Sequence, residues 1–443
     1  MPPGETTPSE PIAAPRRRGA TARRPAATRP AAAPRGAILE PGDVMEARVA
    51  QLWFWEGYYA RRGINLEHQY DPEPLQVTDL DLLAFDLDPA LNRHKHIGEV
   101  KTGTGKNAAK PLDRTIWLRG LRELVGAEHA ELTTGIPPSA RGRELAVSLG
   151  VTAQSVQDVE RREQTAKIAE VADLGSQGPA AFVTLKEVHK LCSAEPELER
   201  AFWFLRSEVW FLDPWSAAKR TLGLLRTLNK RWTPQVEDDE ARALRWLYAE
   251  AISSWTLNVV TLAGEAARLD EHTFQARAEE RLAEGVVPAA YQRRLSDAID
   301  KYIAGVLAAA DTSATVRTEA MGAFLPQPPE WSASFVELVR RLATNAPATR
   351  QLPRRLDLLV FERLVNRREL TTTAGNRLSL HADAFGQQRR LLAAFLRTHP
   401  GLPEAVDRAM TAAVAQDATQ VSATGQVSLS GHAQLTIGGP PTS

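Results

Sequence analysis

The stretch HIGEVKTG, residues 96–103, sets an acidic and a basic side chain two positions apart inside an apolar run. Side chains of a strand alternate between its two faces, so Ile97, Glu99 and Lys101 share one face while Gly98 and Val100 point the other way. Upstream, VTDLDLLAFD (77–86) reads as a second strand in which Asp79, Asp81 and Leu83 share a face. The short LDPALNR connection (87–93) predicts antiparallel neighbours and sets Asp81 opposite Glu99. Two carboxylates and a lysine then converge in an otherwise apolar sheet. Such a cluster is costly, because the carboxylates repel and burial penalises their charges. A divalent cation resolves the conflict. Mg²⁺ takes hard oxygen ligands and keeps waters or phosphate oxygens in its shell, and Lys101 beside it would orient a water or stabilise charge developing on a phosphate. Asp79, on the same face as Asp81, is the alternative acidic ligand.

Working outward, Pro41, Gly42 and Asp43 form a helix start, followed by Val49, Leu52, Trp53, Tyr58 and Tyr59 at roughly helical spacing, with a stop near Gly63. INLEHQY (64–70) reads as a strand and DPEP (71–74) as a turn. After HIGEVKTG come a helix over 113–126, a strand over 129–135 and a helix over 139–150, each helix ended by glycine. The order is α-β-β-β-α-β-α. GSQGP (175–179) is the candidate linker, and the pattern beyond it is helical. The expected organisation is a basic tail (1–37), an α/β domain (38–160), a connecting segment (161–178), an all-α accessory domain (179–412) and a flexible tail (413–443).

Asp81 in TDLDLLAF followed by Glu99 and Lys101 in GEVK, within this element order, resembles the PD-(D/E)xK nuclease superfamily and, within it, the Mrr-like branch. The resemblance covers residues 40–160. The proline that opens the family motif is absent, since Leu80 precedes Asp81. The resemblance implies a restriction endonuclease-like core, an αβββαβ mixed sheet, that hydrolyses DNA phosphodiester bonds in restriction or phage defence. It implies Mg²⁺, with Mn²⁺ as a substitute, held by Asp81, Glu99 and the backbone carbonyl of Val100. Lys101 would position or activate the attacking water. Glu46 matches the additional acidic residue of the first helix, although Asp43-Val44-Met45-Glu46 also fits a capping box. RNA is the less favoured substrate, and an inactive nucleic-acid or protein scaffold is the alternative function.

Composition frames these readings. The net charge of 0 hides a tail with seven arginines and two glutamates, leaving residues 38–443 at −5. The tail is suited to phosphate attraction. One cysteine, Cys192, excludes an intramolecular disulfide framework and a cysteine-based zinc site. No apolar region follows the N-terminal arginines, and no stretch reaches the ~20 apolar residues of a membrane span, so a cytoplasmic protein without membrane contact is expected. TGTGK (102–106) fails as an NTP-binding loop, because Val100 stands where the first glycine belongs and Asn107 where a Ser or Thr belongs. Lys106 and Lys110 are instead placed to touch the DNA backbone. His94 and His96 lack a third ligand and read as surface residues. Trp203, Trp210, Trp215, Trp232, Trp246 and Trp255 sit at helical spacing among Leu and Phe and read as core rather than base-stacking platforms. The helical half carries no catalytic constellation; it is the candidate for homo-oligomer or partner contact.

Overall fold

The computed structural model describes residues 41–69, 74–103, 110–171, 174–232, 239–285, 289–309 and 327–414, all within one compact unit, Leu39–Ser443. Five strands lie side by side in sequence order: β1 (Tyr59–Gln69), β2 (Pro74–Leu87), β3 (Arg93–Lys101), β4 (His129–Thr134) and β5 (Val151–Ser155). The first three form an antiparallel meander, and β3, β4 and β5 run parallel. Parallel neighbours need crossover connections. Helix α2 (Pro111–Val125) supplies one and α3 (Ala140–Ser148) the other, with α1 (Pro41–Glu56) ahead of the sheet and α4 (Val156–Thr165) after it. Proline at its first position and a left-handed Gly126 after its last bound α2, while the Ser139 hydroxyl caps α3 by accepting from the Gly142 amide.

Two sequence expectations need correction. Helix α1 ends at Glu56 rather than near Gly63, and β1 has begun by Tyr59. Arg61 and Arg62 look solvent-seeking in the sequence, yet both are buried in β1. The fifth strand, VTAQS, was not anticipated. It is short and half polar, and its burial comes from the β4 ladder running from Ala130–Val151 to Thr134–Ser155.

The two faces of the sheet carry different helices. A β-carbon on Gly98 would stand 2.8 Å from the Trp53 ring and 2.9 Å from Leu82, so glycine is what lets α1 approach the Gly98 face of β3. Trp53 also donates its indole N–H to Glu131 on β4 (3.0 Å). On the opposite face α2 buries Thr115, Leu118, Leu121 and Val125.

Past Ser155 the described residues contain no strand. Helices α5 (Pro179–Cys192), α6 (Pro196–Arg206) and α7 (Pro214–Arg231) lead to α8 (Asp239–Arg268), a 30-residue helix buried on nearly all sides from Ala243 to Gly264. Trp210, Trp215, Trp246 and Trp255 are buried, and Trp203 and Trp232 pack partly buried against the same core, as their spacing predicts. Among the described residues no helix is long and apolar enough to cross a membrane.

The GSQGP segment, expected as a linker, lies in a packed seam. The Gly175 amide donates to Glu362 (2.7 Å), the Ser176 hydroxyl to Asp357 (2.8 Å), and the Gln177 amide to the Ala60 carbonyl (2.7 Å). Beside it, Arg61 of β1 is 2% exposed. Its Nε donates to Glu250 of α8 (2.8 Å), its Nη1 to the Ala60 carbonyl (2.8 Å) and Ser176 (3.3 Å), and its Nη2 to Tyr59 Oη (2.6 Å) and Asp357 of the helix Leu352–Val360 (2.6 Å). All five guanidinium N–H groups are thereby used. The sheet and the helices after residue 178 share this ionic seam.

Candidate active site

The ladder between β2 and β3 runs from Leu87–Arg93 to Leu82–Gly98 and stops there. One residue further on each strand stand Asp81 and Glu99. The pairing of β1 with β2 also skips Asp81. Arg62 faces Leu82 and Ile64 faces Leu80, while Gly63 between them takes a left-handed φ of 55° that favours glycine. Asp81 therefore sits just past the end of the β2–β3 ladder, with the β1–β2 pairing continuing on either side of it, and its carboxylate takes up the β3 backbone. Its Oδ2 accepts from the Val100 amide (2.8 Å) and from Lys101 Nζ (2.9 Å).

Lys101 Nζ also lies 2.8 Å from Glu99 Oε1. The three residues singled out in the sequence thus meet, with one ammonium between two carboxylates. They differ in access: Glu99 is 3% exposed, whereas the Lys101 side chain is 32% exposed. Burial, followed by the Asp81 charge, raises the pKa of Glu99; Lys101 and Arg114 oppose this without cancelling it. Burial works against the Lys101 ammonium, but Asp81 and Glu99 outweigh it and hold the lysine pKa above its ordinary value.

Glu46, on the second turn of α1, belongs to the same electrostatic neighbourhood. Burial first and the Asp81 charge second push its pKa up from 4.5 to about 7, against the pull of Arg62 and Lys101. Its capping role does not hold. Helix α1 is already under way at Pro41, so Asp43 lies inside the first turn rather than ahead of it, and its carboxylate pairs with Lys186 of α5 (2.7 Å).

The remaining candidates divide. Lys110 is exposed immediately before α2, and Lys106 lies outside the described residues. Asp79 pairs with Asn65 in the β1–β2 ladder and is exposed, so the lysine contact falls to Asp81 and not to Asp79. His94 stands 3.7 Å from Asp88 and 3.8 Å from Glu128 near the start of β3. His96, half-buried, stacks on His129 and meets Tyr58 edge-on, both at 4.7 Å between ring centres. Burial and the neighbouring His129 lower its pKa to about 4. Both histidines belong to the opposite end of β3 from Lys101.

Arg114 was missed. Its Nη1 lies 3.8 Å from Glu99 Oε1. The available signal was helical phase: Arg114, Leu118, Leu121 and Val125 follow the i, i+4, i+7, i+11 pattern, which puts a cation at the head of an inward-facing apolar stripe.

No family model, curated protein or solved structure matches this chain. The residues themselves therefore carry the functional argument. Among the described residues no group of three or more His, Cys, Asp or Glu side chains is arranged as a metal cage. A Mg²⁺ ion needs less than that, one or two carboxylates with waters and substrate phosphate oxygens completing its shell. Asp81 and Glu99, whose oxygens already share one cation, meet that smaller requirement.

Proposed function

We propose that this chain is a metal-dependent nuclease that hydrolyses DNA phosphodiester bonds, built on a restriction endonuclease-like core with an α-helical remainder. The observation that carries the reading is the Lys101 ammonium, within 2.9 Å of both Asp81 and Glu99, at the point where β2 parts from β3. Asp81, Glu99 and the Val100 carbonyl are the groups that would hold Mg²⁺ or Mn²⁺. Such an ion, when bound there, would supply Lewis-acid stabilisation of phosphate charge and a lowered pKa for a water on it.

The electrostatics refine the roles of the other residues. Lys101, with its pKa raised, stays protonated at neutral pH and serves as a positive charge that orients water and offsets charge on phosphate. Glu46, at about 7, is the carboxylate whose proton affinity suits a general base near neutral pH.

Supercoiled, linear, modified and branched DNA, with matched RNA, incubated with purified protein and Mg²⁺ or Mn²⁺, tests the reading. Metal-dependent cleavage of DNA is expected. Glu99→Ala and Lys101→Ala should each reduce it by about two orders of magnitude or more while the circular dichroism spectrum is retained. Absence of cleavage across the panel would overturn the reading. A second reading is an inactive nucleic-acid-binding scaffold, favoured by the Lys101 ammonium already bridging the two carboxylates where a metal would sit. It predicts salt-sensitive DNA binding without turnover.

A further inference from the structure

One charged group beside the dyad is left without a task. Arg114 stands in the first turn of α2, its side chain 39% exposed. At 3.8 Å its contact with Glu99 is an ion pair too long to be a hydrogen bond. Its guanidinium carbon lies 5.6 Å from the centre of the Trp117 ring. Among the described residues its side chain makes no hydrogen bond. Two other arginines in charged clusters are tied down. Arg61 uses every donor, and Arg162 is held by Glu56, Glu131 and Gln154. Arg114 keeps its planar fork of N–H groups free of hydrogen bonds beside the Asp81–Glu99 dyad.

Charge sets what that fork is for. Asp81, Glu99 and Glu46 cluster here, and the Lys101 ammonium is already shared between the first two. A phosphodiester approaching the dyad meets like charge and needs a cation whose hydrogen-bond donors are free. A guanidinium grips two phosphate oxygens at once, which an ammonium cannot do.

We propose that Arg114 binds the non-bridging oxygens of a substrate phosphate at the Asp81–Glu99 dyad, which makes it a catalytic contact and makes the ligand of this corner a nucleic-acid phosphate. The proposal rests on the nuclease reading above. A purely structural Arg114, covering Trp117 and offsetting Glu99, is the alternative.

The experiment uses the full chain with Arg114→Ala, Arg114→Gln and Arg114→Lys. Steady-state kinetics are run on whichever DNA of the panel the wild-type chain cuts fastest. Binding of a labelled duplex is followed by fluorescence anisotropy in Ca²⁺ from 50 to 200 mM salt. Arg114→Ala and Arg114→Gln should lower kcat/KM by about 10²-fold or more, with Arg114→Lys restoring little. The slope of log affinity against log salt should fall by about one in magnitude. Should Arg114→Ala fail to fold, Arg114→Gln and Arg114→Lys preserve most of the stem and decide the question. Wild-type cleavage with variants within twofold and an unchanged salt slope overturns the Arg114 assignment alone. A wild-type chain that binds without cutting overturns the nuclease reading and the catalytic role of Arg114, and an unchanged salt slope then overturns the phosphate contact as well. A wild-type chain that neither binds nor cuts DNA overturns both readings.

Discussion

Two clusters of buried charge lie on neighbouring strands and behave in opposite ways. At the seam, Arg61 spends all five donors on Glu250, Asp357, Tyr59, Ser176 and the Ala60 carbonyl, and its surroundings are closed. At the strand opening, Lys101 is one-third exposed, burial raises the pKa values of Glu99 and Glu46, and the Arg114 side chain makes no hydrogen bond among the described residues. Burial of charge is common to both. What separates them is hydrogen-bond saturation: every donor of Arg61 is used, whereas among the described residues the Arg114 side chain makes no hydrogen bond. A saturated cluster holds a fold together, whereas one with free donors at a partly exposed edge is the one proposed above to take a cation and a phosphate.

The most direct way to break this contrast is Arg61→Met. Removing one partner of a closed ionic cluster leaves Glu250 and Asp357 buried without it, so a loss of about 3–5 kcal/mol is expected. Urea unfolding at neutral pH measures it, and a loss below 1 kcal/mol would mean that the seam is not what binds the sheet to the helices.

Glu99→Gln should do the reverse. Burial and the Asp81 charge already disfavour the Glu99 carboxylate. Neutralising it should therefore leave the urea midpoint unchanged or raised, within about 1 kcal/mol, even as cleavage is lost. A destabilisation as large as that of Arg61→Met would place the dyad in the same class as the seam.

The third effect is a pH slope. A carboxylate whose folded pKa exceeds its unfolded value binds more protons in the folded state, so its contribution to stability is present below 4.5 and is lost as pH rises through the folded value. Glu46, raised to about 7, should thus make the wild-type protein lose stability relative to Glu46→Gln between pH 4.5 and 7. Paired urea titrations at pH 5, 6, 7 and 8 measure the difference. In parallel, cleavage by the wild-type protein should rise with pH through about 7, and Glu46→Gln should lack that limb. Parallel stability curves and an unchanged rate profile would take Glu46 out of the site.

The same contrast explains which parts were legible in the sequence. The dyad could be read because its information is local: Glu99 and Lys101 are two residues apart, and one short turn brings Asp81 across from them. The strands β2, β3 and β4 and helices α2 and α3 could be read for the same reason, from alternation and from glycine stops. The start of β1 could not, since Arg61 makes sense in a strand only once Glu250 and Asp357 are beside it. Nor could β5, whose VTAQS is polar enough to pass for a loop until β4 covers it. GSQGP read as a linker because small residues look flexible, and its bonding partners Asp357 and Glu362 lie more than 180 residues away. Arg114 was within reach through helical phase, but a lone cation in an amphipathic stripe draws notice only after its neighbour Glu99 is known.

The Arg61–Asp357 pair also has a consequence in time. The two residues are 296 positions apart in the chain. A ribosome adding about 5–20 residues per second needs roughly 15–60 s to travel from one to the other. Until Asp357 emerges, β1 cannot bury Arg61 with its full set of partners, and β1 is the strand against which β2 sets Asp81. The nascent chain therefore carries its acidic dyad for more than half of its synthesis before the scaffold behind it can close, so the surroundings of the dyad are completed only with the helical half.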